Sequence, residues 1–208
     1  MYRQIYVAVA ALAGLAACTP PADSPTPGQP AGAAAAAVAC QPAPQMAVAG
    51  RASPYDSAVV TLGGAQAKVC YGRPSARGRT VFGGEGAVVA LDTLWRTGAN
   101  EPTILHLPFR AQLAGLALEP GSYSIYTVPH ANQWTVVVNR STSQWGHERS
   151  YTPEIRAQEV GRVTVPAGRT AEFVETFTIR AQPRGANAAD LLLEWENTQV
   201  RIPMTRGA

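Results

Sequence analysis

The chain has 208 residues, 46% hydrophobic and 15% charged, which suits one domain of about 150 residues with an appendage and excludes a highly charged disordered chain or a coiled coil. Its 17 basic and 14 acidic residues leave a formal charge of +3, and the absence of any Lys/Arg run argues against a nucleic acid partner. A domain of this size hides roughly 70% of its unfolded surface, so folding does not depend on a metal or a disulfide.

Residues 5–17 form one apolar stretch behind Arg3, the layout of a secretory signal: a basic start, an apolar middle and small residues at the cut. The stretch is too short to span a hydrocarbon core of about 30 Å. It ends in Leu15-Ala16-Ala17-Cys18, which looks like a bacterial lipobox. On that reading residues 1–17 are a lipoprotein signal peptide, and Cys18 is acylated (palmitate-type chains) as the first residue of the mature protein. The alternative is a soluble secreted protein cut near the same point. Several acyl chains, at about 0.8 kcal/mol per buried CH₂, anchor a protein far better than one. The expected location is therefore outside the cytoplasm, held on a membrane by lipid. In the lipoproteins this segment resembles, a residue other than Asp after the cysteine, here Thr19, favours the outer membrane facing the periplasm.

From residue 18 to 53 the composition is dominated by Pro, Ala and Gly, with too few large apolar side chains to offset the entropy of ordering. This segment reads as a flexible tether.

Residues 54–208 change to short alternating runs broken by Gly, Pro and Asn, with no helical period. The expected fold is all-β, a single β-sandwich, with a partly closed barrel as second choice. The expected strands are 58–62, 67–71, 103–107, 112–116, 122–128, 134–139, 158–165, 171–179, 191–196 and 199–204. In the run from Ser122, Tyr123 and Ile125 face one side, and Ser124 and Tyr126 the other. Pro129-His130-Ala131-Asn132 should turn that run into the next, Glu119-Pro120-Gly121 makes another turn, and Asn197-Thr198 is expected to turn the last two runs against each other. Phe82-Gly83-Gly84-Glu85-Gly86 is glycine-rich without a strand-to-helix setting, and reads as a turn rather than a phosphate loop.

Two segments, 71–86 and 92–101, hold more Gly, Arg, Trp and Asn than a simple connection needs. They contain Tyr71-Gly72-Arg73-Pro74, Gly78-Arg79, Phe82-Gly83-Gly84 and Trp95-Arg96-Thr97-Gly98-Ala99-Asn100-Glu101. With the run Pro120 to Pro129, Trp134-Thr135-Val136 and Gln144-Trp145-Gly146, these strings resemble the bacterial domain-of-unknown-function family 2911, from about residue 53 to the end. That resemblance implies a β-rich exported domain with no assigned chemistry. Cys40 and Cys70 are not part of its pattern.

Arg73, Arg77, Arg79 and Arg96 share a stretch whose acids are Glu85 and Asp92. A guanidinium presents a planar fork of donors suited to carboxylate or phosphate, so these loops could form an anion site; the competing reading is a structural network of arginines on backbone carbonyls and acids. Trp134 and Trp195 lie on apolar strand faces and are expected in the core. Trp95 and Trp145 lie in polar, irregular segments, where each could stack on a ligand or lie as a half-buried lid. The ligand-binding set is thus Arg73, Arg79, Trp95, Arg96, Asn100, Glu101 and Trp145. Glu101 is either a general base or the ion-pair partner of Arg96 or Arg73, and His147 beside Glu148 is a second weak catalytic candidate. No spacing among His106, His130 and His147 points to a metal, and no motif to a cofactor or nucleotide. In an oxidising compartment Cys40 and Cys70 are either a disulfide or two independent thiols.

The preferred reading is a lipid-anchored binding module for an anionic or hydroxyl-rich envelope ligand, such as a glycan or peptidoglycan fragment. An envelope hydrolase using Glu101 or His147, and a structural assembly lipoprotein, are the alternatives. Oligomeric state is not readable from the sequence.

Overall fold

The computed structural model describes residues 1, 38–44 and 47–207; the signal segment, Cys18 and most of the tether lie outside them. The domain belongs to a compact unit spanning Ala37–Ala208. Its strands are β1 (Tyr55–Leu62), β2 (Ala65–Gly72), β3 (Phe82–Gly83), β4 (Val89–Ala90), β5 (Thr103–Leu107), β6 (Ala111–Leu113), β7 (Leu116–Leu118), β8 (Gly121–Pro129), β9 (Gln133–Asn139), β10 (Glu159–Gly185) and β11 (Ala188–Arg206). Between β9 and β10 come a 3-10 turn, Glu148–Ser150, and one helical turn, α1 (Pro153–Arg156).

The all-β expectation holds. One antiparallel sheet runs in the order β1-β2-β5-β8-β9-β10-β11-β6-β7, and β3 and β4 form a separate parallel pair. The long strand β10 makes this sheet double back. Its first part, to Pro166, pairs with β9, and from Ala167 it pairs with β11. Its later part also meets the chain leaving β2, where Ser75 bridges Thr176 and the Tyr71 hydroxyl donates to the Ile179 carbonyl at 3.3 Å. The result is sandwich-like, without closure into a barrel.

Two expected strand breaks are absent, and one break that was not expected is present. The runs 158–165 and 171–179 are one strand, as are 191–196 and 199–204. Asn197-Thr198 is not a hairpin turn. Instead Glu196 takes φ 53°, and the β10 register jumps from Arg169 opposite Thr198 to Val174 opposite Glu196, so a bulge absorbs the bend that composition suggested. Conversely, the run 112–116 is split by a tight hairpin at Ala114-Gly115, both at positive φ (48° and 87°). Such two-residue turns favour Asn-Gly, and Ala hides the signal.

Period-two alternation explains most of the burial. Tyr123 and Ile125 of β8 enter the main core, together with Leu105, Trp134, Phe177 and Trp195. Tyr126 on the opposite face is also buried, in a smaller cluster with Val137 and Tyr151. That second face is covered because Asn139, on β9, donates to the Tyr151 hydroxyl (3.0 Å) and to the Ile155 carbonyl (2.6 Å), which ties the helical segment over it.

On the outside, Arg180 of β10 grips Glu194 of β11 through two bonds of 2.8 and 2.9 Å. The Arg180 hydrogen bonds hold the Glu194 carboxyl below the usual carboxylate range, against the opposing effect of burial. Glu159, bonded by Arg162, is lowered in the same way. A carboxyl depressed in the folded state stabilises the fold above the unfolded value of about 4.3 and loses that contribution as pH falls through the folded value. Unfolding in urea should therefore become easier as the pH drops from about 5 towards 3, and Glu194→Gln should flatten that slope; an unchanged slope would show that this pair is not coupled to folding.

Candidate functional site

After Gly72 the chain leaves the sheet, and it returns at Thr103. The intervening loops are fixed by close backbone packing. A Cβ built on Gly72 would collide with the Ala99 carbonyl oxygen, one on Gly98 would lie 2.9 Å from the Gly72 oxygen, and one on Gly146 would strike the Asn100 oxygen. Gly146 uses that contact, donating its N–H to Asn100 O at 3.2 Å. Three glycines distant in sequence thus lock the segment 95–101 between the end of β2 and the 144–146 loop.

The locked segment contains two non-glycine residues in the left-handed region, Thr97 (φ 57°) and Asn100 (φ 67°). Asparagine tolerates this conformation, whereas for a β-branched residue it is strained. Thr97 is held there by its own hydroxyl, which donates to the Thr127 hydroxyl at 3.1 Å, and by Thr103, whose hydroxyl donates to the Thr97 carbonyl at 2.6 Å. Trp95 and Thr127 exchange two backbone bonds of 2.7 and 2.8 Å. Trp95 is consequently placed in the core, 5% exposed, with its indole N–H on the Gly98 carbonyl at 3.1 Å.

This construction aims Arg96 into an open cavity of about 430 Å³, whose lining includes Arg79, Leu94, Trp95, Arg96, Glu148 and Trp195. The Nε of Arg96 is buried and has no hydrogen-bond partner among the described residues. A buried donor left unpaired costs about 1–3 kcal/mol, a cost that a ligand acceptor recovers where a shift of the Arg96 side chain exposes the Nε to it. Arg96 also lies near the Tyr126 phenol. That phenol is pushed up to about 12, chiefly by burial, with the Gln144 hydrogen bond and the Arg96 charge opposing the rise and Glu148 adding to it. Arg79 adds positive charge at the rim while bonding the Ala76 and Ser75 carbonyls at 2.9 and 2.8 Å.

The other expected site residues are placed elsewhere. Arg73 is spent on structure, donating to the Phe177 carbonyl, Asp56 and the Thr178 hydroxyl at 3.2, 3.0 and 2.9 Å. Asn100 contributes its backbone turn and does not line the cavity. Trp145 is half-buried and outside the lining. His147 accepts from the Arg149 N–H at 3.2 Å and lies 3.4 Å from Glu148; Glu148, rather than His147, reaches the cavity.

Glu101 pairs neither with Arg96 nor with Arg73. Its partner is Arg51, at 2.9 Å, with the two side chains 5% and 2% exposed, and its Oε1 also accepts from the Ala43 N–H at 2.8 Å. An enzyme using Glu101 as base would first have to break that pair. Cys40 and Cys70 are joined by a disulfide with Cα atoms 5.7 Å apart. The end of the expected tether is therefore docked on the domain by a covalent bond, a hydrogen bond and a buried ion pair. Composition hid this, because Arg51 sits in a stretch rich in small residues, with no pattern that distinguishes it from a solvated arginine.

The fold and this loop assembly define an all-β domain built around a glycine-locked arginine segment. The family described as "Protein of unknown function (DUF2911)" matches residues 53–204, and the chain belongs to that family. No curated protein and no solved structure matches it.

Proposed function

We propose that this domain is a binding module that takes an anionic or hydroxyl-rich ligand of the cell envelope in the Arg96 cavity, and that acylated Cys18 holds it at the outer membrane. The observation that carries the reading is that Arg96 lines an open cavity while its buried Nε has no hydrogen-bond partner among the described residues. The lining supplies two guanidinium groups, Arg79 and Arg96, against one carboxylate, Glu148. That balance suits a carboxylate or phosphate, and charge-assisted bonds of this kind contribute about 1.5–3 kcal/mol each.

The test is calorimetry of the purified domain with N-acetylmuramic acid and larger muropeptides. Arg96→Ala should weaken binding at least about tenfold, the fold-change that corresponds to about 1.4 kcal/mol. Equal affinity in the variant, with an unchanged melting temperature, would remove Arg96 from the site and the reading with it.

A further inference from the structure

A second cavity, of about 360 Å³, borders the first. Its floor includes Phe82 and Trp134, and its rim carries Asn132, Arg169, Asn197 and Thr198. The partition between the two is a double layer of aromatic rings in contact. Phe82 lies 5.7 Å from Trp95 and 5.8 Å from Trp195, and Trp134 lies 5.9 Å from Trp95, all centroid to centroid. Phe82 and Trp134 face the second cavity, Trp95 and Trp195 the first. The chain itself steps from one to the other between Ala90, on the first lining, and Leu91, on the second.

The rim of the second cavity is shaped by the bulge described above. Where the register skips between Arg169 and Val174, β10 and β11 part, and the Thr170 hydroxyl donates to the Glu196 carbonyl at 3.2 Å to hold the parted strands. Arg169 is exposed there, and its guanidinium has no acid partner among the described residues. Also in the lining, His130 is fixed between Asp92 and Thr135 by bonds of 2.5 and 3.3 Å. The lining contains no carboxylate among the described residues, whereas amide, hydroxyl and guanidinium donors stand over an aromatic floor. That combination suits a polar ring bearing hydroxyls and an acid. Each cavity is at the small end of the roughly 300–1,000 Å³ range of ligand sites, so each holds one unit of a larger molecule.

The geometry points to a two-basin site: the second cavity binds a second acidic unit of the same ligand, an acidic oligosaccharide whose intervening neutral unit lies across the aromatic partition, with one acidic group towards Arg96 and another towards Arg169. This rests on the reading of the Arg96 cavity as an anion site. Joining two weak subsites by one molecule multiplies their affinities.

The experiment uses two probes, N-acetylmuramic acid and the tetrasaccharide of alternating N-acetylglucosamine and N-acetylmuramic acid, with the wild-type protein, Arg169→Ala and Arg96→Ala. Arg169→Ala should weaken the tetrasaccharide about tenfold or more while leaving the monosaccharide within about twofold, and Arg96→Ala should weaken both. If Arg169→Ala leaves tetrasaccharide affinity unchanged while Arg96→Ala weakens both probes, the second basin is overturned and the Arg96 site stands. If Arg169→Ala weakens the monosaccharide as much as the tetrasaccharide, the division into two basins is wrong. If the wild type binds neither probe, the proposed function fails for this ligand class and the two-basin site fails with it.

Discussion

Replacing Glu101 with alanine is expected to lower the unfolding free energy by about 3–5 kcal/mol, the cost of removing one member of a buried ion pair. Glu101 neutralises Arg51, whose side chain is 2% exposed, and accepts the Ala43 N–H. Alanine would take the carboxylate from both. The charge is also felt at Tyr55. That phenol is pushed up to about 12, first by burial and then by the nearby Glu101, while Arg51 pulls it down. Urea titration of the oxidised protein measures the loss. The double variant Arg51→Met with Glu101→Leu should recover much of it, because replacing both charges by apolar groups leaves no buried charge behind. A loss below about 1 kcal/mol in Glu101→Ala would mean that water reaches the pair.

The second large effect belongs to Gly72. A methyl group there collides with the Ala99 carbonyl oxygen, which is backbone and cannot rotate aside. Gly72→Ala should cost about 3 kcal/mol, at the upper end of overpacking penalties, and should displace the segment that presents Arg96. Gly84 is the control: nothing lies within 4 Å of a Cβ built on it, so Gly84→Ala should stay within about 0.5 kcal/mol of the wild type. Thermal melts of the two variants decide the matter, and equal melting temperatures would contradict the close approach of residues 72 and 99.

The contrast between these two glycines shows what a single sequence can convey. Alternation in Tyr123 to Val128 and Trp134 to Asn139 announced strands, because a half-buried strand must repeat every second residue. The bulge opposite Glu196 was not legible: a bend inside a continuous ladder and a turn between two strands draw on the same polar residues. The arginines of the 73–96 loops were recognisable as a group, yet their division between structural Arg73 and cavity-lining Arg96 depends on which carbonyls and acids lie nearby in space. Arg51 shows the same limit more strongly, since its partner is 50 residues away in the chain. The second cavity was invisible for a related reason, because its lining is gathered from five separate stretches, around residues 82, 91, 132, 168 and 197.

The cross-link between Cys40 and Cys70 also determines how the domain would bear mechanical load. β1 is an edge strand, bonded on one side to β2, and tension entering through its first residue, Tyr55, would tend to strip it from the sheet. The covalent bridge diverts a pull arriving from the N-terminal side into Cys70, in a strand flanked by β1 and β5. Residues 41–69 are thereby shielded from the strain, and the weakest border of the sheet is relieved of it.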